Sequence, residues 1–132
     1  MSEKFEQVKR YVLDLDLEIV KEVADEELIL VEDEASGIKN LIIDCEDPIL
    51  ILEQLIMTVP RSESPSFFKR LLQMNRTLVH GAFVLDDTGE FVFFRDTLQL
   101  ENLDRNELEG SIHALSLALA EYAGELLGFA HR

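Results

Sequence analysis

The longest regular pattern of apolar side chains lies in the last third of the chain, where they recur at alternating spacings of four and three residues. The positions are Leu108, Ile112, Leu115, Leu119, Tyr122 and Leu126. This spacing predicts a long helix with one buried side. Glycines within it oppose the helix by about 1 kcal/mol each. Burying a large apolar side chain contributes roughly 1.5–3 kcal/mol, so packing decides in favour of the helix.

The start of this helix is marked by capping residues. Asp104 is a suitable N-cap, Glu107 stands in the capping-box position, and Leu103 and Leu108 are placed to form a hydrophobic staple. A second side of the helix is smooth, with small residues four apart: Gly110, Ala114 and Ala118. Another helix or a strand could approach this second side closely.

Two strand-like runs precede the long helix, at residues 79–85 and 90–98. The segment Asp86–Gly89 between them consists of turn-forming residues, and Gly89 can adopt a positive φ. The sequence therefore predicts a β-hairpin, and the sheet that contains it is the simplest surface for the long helix to pack on.

The beginning of the chain predicts another helix, over residues 3–15, with Ser2 in the position of its cap. Its buried side carries Phe5, Val8, Val12 and Leu15. Residues 17–23 alternate between apolar and charged side chains and fit either a short edge strand or an extended connector. Residues 28–31 and 38–43 flank an acidic turn and predict a second hairpin.

The run at residues 49–59 fits two structures. As a helix it would have Asp47 as N-cap and Pro48 at the first position. As a strand it is rich in β-branched residues and apolar on both faces. We favour the strand, because the three neighbouring strands need a central partner, and Pro60 would end it.

A further helix is predicted to open at Ser64 and Pro65, as cap and first-turn proline. Its inward side chains would be Phe67, Phe68, Leu71, Leu72 and Met74. The complete order is then α-β-β-β-α-β-β-α. This order predicts one α+β domain over residues 1–132, with a single antiparallel sheet of about five strands packed on helices.

Three predicted strands are apolar on both faces, at residues 28–31, 49–59 and 91–94. Three or four helices can cover one face of a sheet, but a chain of this length seldom covers both. We therefore expect an apolar face that is left for a partner, either an identical subunit or another protein.

The charge balance narrows the choice of partners. The chain has 12 Lys and Arg against 27 Asp and Glu, a net charge of −15. Nucleic-acid binding needs clustered cations, so we do not expect it. No apolar run is long enough to span a membrane, and the N-terminus lacks the apolar region of a signal peptide. Cys45 has no partner for an internal disulfide, and we expect a cytoplasmic protein.

Residues of the types that carry out catalysis are present, but they lack the neighbouring groups or the spacing that catalysis or metal binding needs. Cys45 lies among carboxylates, which disfavour a thiolate. His80, His113 and His131 are not at the spacing of metal ligands. Residues 86–90 lack the ligand pattern of a calcium loop and fit a hairpin turn. We predict no enzymatic activity, no metal and no cofactor.

The order of elements resembles the class I type III secretion chaperones (Tir-chaperone or CesT-like proteins) and the related YbjN-like bacterial proteins. The segments that carry the resemblance are Ile56–Pro60, Ser64–Phe68, Leu71–Asn75, His80–Phe83 and Arg95–Leu103 running into Glu107 and Leu108. The resemblance implies a chaperone-like homodimer that holds an extended segment of a client protein. The alternative that it implies is a YbjN-like stress or regulatory adaptor that binds a folded partner.

The same resemblance implies contact residues on the first helix, the sheet and the second helix. The candidate client contacts are Phe5, Val8, Val12, Leu28, Leu30, Leu41 and Ile43. The candidate dimer contacts are Phe67, Leu71, Met74, Phe91 and Phe93. Each of these positions is also suited to an ordinary hydrophobic core.

Overall fold

The computed structural model describes residues 2–131, and every strand in that range belongs to one antiparallel sheet. The strands are Glu18–Val23 (β1), Leu28–Asp33 (β2), Ile38–Glu46 (β3), Ile49–Thr58 (β4), Ala82–Leu85 (β5) and Phe91–Gln99 (β6). Their order across the sheet is β1-β2-β3-β4-β6-β5. The α-helices are Glu3–Asp14 (α1), Ser64–Asn75 (α2) and Arg105–Ala130 (α3). The predicted α+β class is confirmed, with one strand more than expected.

The additional strand is β1, which settles the ambiguous segment at residues 17–23 as an edge strand. Its pairing with β2 is irregular between Ile19 and Lys21, where Val20 is bulged out. At the opposite edge, β5 is only four residues long. The choice of a strand for residues 49–59 is also confirmed, because β4 pairs with β3 on one side and β6 on the other.

The predicted caps of α1 and α3 are both present. The Ser2 side chain accepts a hydrogen bond from the backbone N–H of Phe5 at 3.2 Å. The Asp104 Oδ1 atom accepts from the backbone N–H of Glu107 at 2.8 Å, and the Asp104 N–H donates to Glu107 Oε1 at 3.4 Å. This reciprocal pair is the predicted capping box, so the sequence places the start of α3 correctly.

Helix α2 differs from the prediction in two details. Ser64 is its first helical residue instead of its cap, and the Ser64 hydroxyl donates to the Pro60 carbonyl at 3.0 Å. Leu72 was predicted to face inward, but it is 71% exposed. The buried side is set by Phe67, Leu71 and Met74 at spacings of four and three, and Leu72 lies one residue, or about 100°, away from it.

The first strand of the hairpin that precedes α3 is shorter than predicted. It starts at Ala82, whereas Val79 lies before it in an irregular segment and is 85% exposed. Gly81 has φ +74 there and redirects the chain. Asn75 fixes the new direction, because its side chain donates to the Phe83 carbonyl at 3.1 Å and accepts from the Phe83 N–H at 2.7 Å.

The helices of residues 2–131 pack on the same face of the sheet. The Ser111 hydroxyl of α3 donates to Asp96 of β6 at 2.7 Å, and the rings of Tyr122 and Phe83 lie 6.5 Å apart. Lys9 of α1 donates a hydrogen bond to Glu22 of β1 on the same face. The strands contribute every second residue to the buried core that lies between the sheet and the helices: Ile29, Val31, Leu41, Ile43, Leu50, Leu52, Phe83, Val92 and Phe94.

Candidate protein-binding surface

The opposite side of the sheet is covered by no helix of residues 2–131, and we call it the open sheet face. The register fixes its members: Leu28 and Leu30 of β2, Ile42 of β3, Ile51 and Leu55 of β4, Phe93 of β6 and Val84 of β5. Leu55 is 53% exposed and the others are half-buried. This face confirms the expectation that apolar strand surface is left uncovered.

The apolar side chains of the open sheet face are contiguous across neighbouring strands. Leu30 pairs with Ile42 on β2 and β3. Leu55, Phe93 and Val84 are paired across β4, β6 and β5. Cross-strand partners of this kind lie about 5 Å apart at their Cβ atoms, so these side chains form two apolar clusters, one on β2 and β3 and one on β4, β6 and β5.

Charged side chains interrupt this surface near its centre. Glu53 and Arg95 pair across β4 and β6, with 3.9 Å between Oε2 and Nη1. Asp44 of β3 stands between Leu28 and Ile51. Its Oδ1 atom is shielded from solvent and has no hydrogen-bond partner among residues 2–131. Partial burial, with the neighbouring Glu46 and Glu26 carboxylates, raises the pKa of Asp44 to about 6.

The raised pKa of Asp44 predicts a pH dependence of stability. The ordinary pKa of the carboxyl group is 3.8, so the folded state binds this proton more tightly than the unfolded chain. The stabilisation that the folded state gains by binding this proton is therefore complete below pH 4, and it is lost as the pH rises through about 6. We expect Asp44→Asn to raise the free energy of unfolding at pH 7.5 and to change it little at pH 4.

Urea denaturation followed by circular dichroism at both pH values measures this effect. Glu101→Gln is the matched control, because it alters an exposed carboxylate in the turn before α3. It should change the free energy of unfolding by the same small amount at both pH values. Equal effects of Asp44→Asn at pH 7.5 and pH 4 would contradict the raised pKa.

The candidate client contacts divide between the open sheet face and the core. Leu28 and Leu30 lie on the open sheet face. The other five are almost fully buried beneath the helices: Phe5, Val8, Val12, Leu41 and Ile43. A side chain in the protomer's core cannot touch a client unless the core opens, so only the two β2 leucines present surface to one.

The candidate dimer contacts divide in the same way. Phe67, Leu71 and Met74 are buried at the inner side of α2, and the Phe67 ring lies 5.1 Å from the ring of Phe129. Phe91 and Phe93 of β6 are half-buried. The three α2 residues therefore serve the protomer's core, whereas the two β6 phenylalanines present surface.

The residues considered for catalysis lie apart from this surface or are unreactive. Cys45 is buried, and burial together with the Glu27, Asp44 and Glu46 charges raises its thiol pKa to about 12. Such a thiol is a poor nucleophile at neutral pH. Asp86 accepts from the backbone N–H groups of Glu90 and Phe91 and so organises the hairpin turn. No cluster suited to a metal ion occurs within residues 2–131, and no helix in that range is long and apolar enough to cross a membrane.

A groove lies on the other side of the protomer, between α3 and the segment Thr77–His80. It is an apolar groove of about 550 Å³, which we call the α3 groove. Its lining on α3 comprises Gly110, His113, Ala114, Leu117, Ala118, Glu121 and Tyr122. The smooth side predicted from Gly110, Ala114 and Ala118 was the sequence signal for it. The groove was missed because residues 79–81 were assigned to a strand.

Comparisons with known proteins give a family and a fold. The family model described as CesT_Tir_1 matches residues 1–132. No curated protein sequence matches the chain significantly. Among solved structures, YbjN from E. coli, described as a candidate transcription regulator, is similar with a TM-score of 0.70 at 13% identity, covering 92% of each chain.

Two secretion chaperones in complexes are also similar. The HopA1–SchA chaperone–effector complex gives a TM-score of 0.62 at 13% identity, covering 87% of this chain and 89% of the other. The Yersinia pestis type III secretion chaperone SycH, bound to a stable fragment of YscM2, gives 0.52 at 11% identity, covering 96% and 98%. At these identities the likeness establishes the shared fold.

Proposed function

Because this chain belongs to the CesT_Tir_1 family, we propose that it is a non-enzymatic, chaperone-like protein-binding domain that acts as a homodimer. In this proposal the open sheet face holds an extended segment of a client protein. A cytoplasmic location is part of the proposal, since the free Cys45 thiol suits a reducing compartment.

The observation that carries the proposal is the uncovered apolar surface spread over four strands, β2 to β4 and β6, and continued by Val84 of β5. Contiguous exposed apolar surface of this kind marks protein-interaction sites. Leu30, Ile51 and Phe93 point to the same side from three strands. A client segment that crosses the strands could place alternate apolar side chains between them. The net charge of −15 favours encounter with a basic client.

The contact residues carried into this proposal are those that present surface. Leu28 and Leu30 are the client contacts retained from the sequence, and Phe93 joins them on the same face. Phe91 remains a candidate for contact with a second subunit. The buried candidates on α1, β3 and α2 act in this proposal only by supporting the sheet from below.

Photo-crosslinking in cells tests the client site. With benzoylphenylalanine in place of Leu30, we expect crosslinks that map to one contiguous stretch of a partner protein. The same replacement at Leu13, which is 57% exposed on α1, is the control and should not give that crosslink. The same replacement is made at Leu55 on the open sheet face. If neither position 30 nor position 55 gives a crosslink, the proposal is contradicted.

The affinity for the partner identified in this way should also depend on the open sheet face. We expect Leu30→Glu to weaken binding about tenfold or more, because it places a charge among the apolar side chains that contact the client in this proposal. The circular dichroism spectrum should be unchanged, since Leu30 is only half-buried. Unchanged binding by Leu30→Glu, with Leu13→Glu as its control, would argue against this face as the client site.

The second candidate function is a regulatory adaptor that binds a folded partner; among the similar structures, YbjN is described as a candidate transcription regulator. Limited proteolysis separates the two functions. An extended client segment gains strong protection from protease on binding, whereas a folded partner barely changes. Crosslinks that scatter over several distant segments of a partner would likewise support the adaptor.

A further inference from the structure

The outward side of α3 has an approximate symmetry about its middle. The helix runs from Arg105 to Ala130, so Leu117 lies at its centre, and Leu117 is 55% exposed. The buried side of α3 faces the sheet through Leu108, Leu115 and Leu126. Leu117 therefore points away from the sheet, and more than half of its surface is open to solvent.

Residues at equal distances on either side of Leu117 complement one another. Gly110 and Gly124 lie seven residues before and after it, and His113 and Glu121 lie four before and after it. When two such helices pair antiparallel about a twofold axis at Leu117, each residue meets its mirror position on the other helix. His113 then faces Glu121 of the second copy, and an imidazole N–H can donate to a carboxylate in either protonation state.

The α3 groove supplies the receiving surface for the central leucine. Its residues Ala114, Leu117, Ala118 and Glu121 stand at the i, i+3, i+4 and i+7 positions that form a hole for a knob from a facing helix. Val79, 85% exposed, forms part of the opposite wall. Leu117 of a second copy would bury apolar surface against both walls.

The surroundings of the two glycines fit the same arrangement. The His80 ring covers Gly110, with its Nε2 atom 3.6 Å from the position that a Cβ would occupy there. No atom lies within 4 Å of the corresponding position at Gly124. The missing side chain at Gly124 of the second copy leaves room for His80. Glu109 would approach Glu125 of the second copy, but Arg70 already pairs with Glu125.

We infer that the occupant of the α3 groove is a second copy of this chain, with the two α3 helices packed antiparallel about Leu117. The inference rests on the proposed homodimer and assigns its contact to α3 in place of the candidate residues on α2 and β6. Since Leu117 and the open sheet face point in opposite directions, such a dimer would leave both open sheet faces outward. Each subunit could then hold client without disturbing the pairing.

Sedimentation equilibrium at about 0.15 M salt, where repulsion between the acidic subunits is screened, tests this contact. We expect the wild-type chain to be dimeric and Leu117→Glu to raise the dimer dissociation constant about 30-fold or more, as for a central contact residue. Leu127→Glu is the matched control, because Leu127 is 58% exposed on the same helix but points elsewhere, and it should remain dimeric.

Charge reversal tests the pairing of His113 with Glu121. His113→Glu should weaken the dimer by placing two glutamates face to face, and adding Glu121→Lys should restore it. Within one helix these residues are eight apart, or about 12 Å, so rescue cannot come from contact inside a chain. Failure of the double variant to recover would overturn the antiparallel register.

The outcomes separate this inference from the proposed function. A wild-type monomer would overturn both the α3 contact and the proposed homodimer, while crosslinking from Leu30 would still test client binding. A wild-type dimer that survives Leu117→Glu but dissociates with Phe93→Glu would overturn the α3 contact alone and place the dimer on the sheet. Binding of a helical segment from another protein in the groove of a monomeric chain would equally overturn the second copy as occupant.

Discussion

Replacing Phe67 by alanine is expected to lower the free energy of unfolding by about 3–5 kcal/mol, the usual cost of removing a buried aromatic side chain. Phe67 is completely buried. Its ring lies 5.9 Å from that of Phe68 and 5.1 Å from that of Phe129, so it joins α2 to the end of α3. Urea denaturation followed by circular dichroism measures the loss.

The same variant decides between the two roles considered for Phe67. A core role predicts a loss that does not depend on protein concentration, whereas a dimer contact predicts one that does. Leu72→Ala on the same helix is the control, since Leu72 is 71% exposed, and it should change stability by less than about 0.5 kcal/mol. Equal losses for the two variants would show that α2 packs with another side inward.

Replacing Gly81 by alanine is expected to cost roughly 2–4 kcal/mol, from two causes that add. Gly81 has φ +74, a conformation that disfavours any side chain. A Cβ there would lie 2.5 Å from Phe94 Cζ and 3.1 Å from the Arg95 carbonyl oxygen. Since Phe94 is almost fully buried, its ring cannot move away without opening the core beneath β6.

Gly89 provides a matched control for the backbone contribution alone. It has φ +73, and no atom lies within 4 Å of the position of its missing Cβ. Gly89→Ala should therefore cost only the strain of the positive φ, about 1–2 kcal/mol. The difference between the two variants, measured by urea denaturation, isolates the clash with Phe94. Equal losses of stability in the two variants would mean that the Phe94 ring moves aside at no measurable cost.

Local chemistry explains why much of the fold could be predicted from the sequence. The start of α3 depends on Asp104 and Glu107, whose hydrogen bonds are made within four residues, and its length follows from the apolar spacing. The assignment of β4 needed the additional argument that neighbouring strands require a central partner. The segment of β1 stayed ambiguous because an edge strand with a bulge and few buried residues has a weak pattern.

The candidate contacts were harder to predict, because an apolar residue reads the same whether it is packed inside or presented to a partner. The run at β2 is apolar on both faces, and only the register with β3 places Leu30 on the open sheet face and Ile29 beneath the helices. The same limit applies to Phe67, whose burial depends on a ring from the far end of α3. The α3 groove escaped notice because Val79 has a strand-like sequence, while the turn at Gly81 is decided by packing against Phe94.

The two margins of the sheet have a consequence for behaviour at high concentration. At one edge of the sheet, the bulge at Val20 and the charge of Lys21 disfavour pairing of β1 with a strand of another chain. At the other edge, β5 is only four residues long and offers few hydrogen-bonding groups for such pairing. Lateral strand-to-strand growth is thereby blocked at both ends. Although its strands are rich in isoleucine and leucine, we expect the protein to stay as discrete particles and not to lengthen into fibrils.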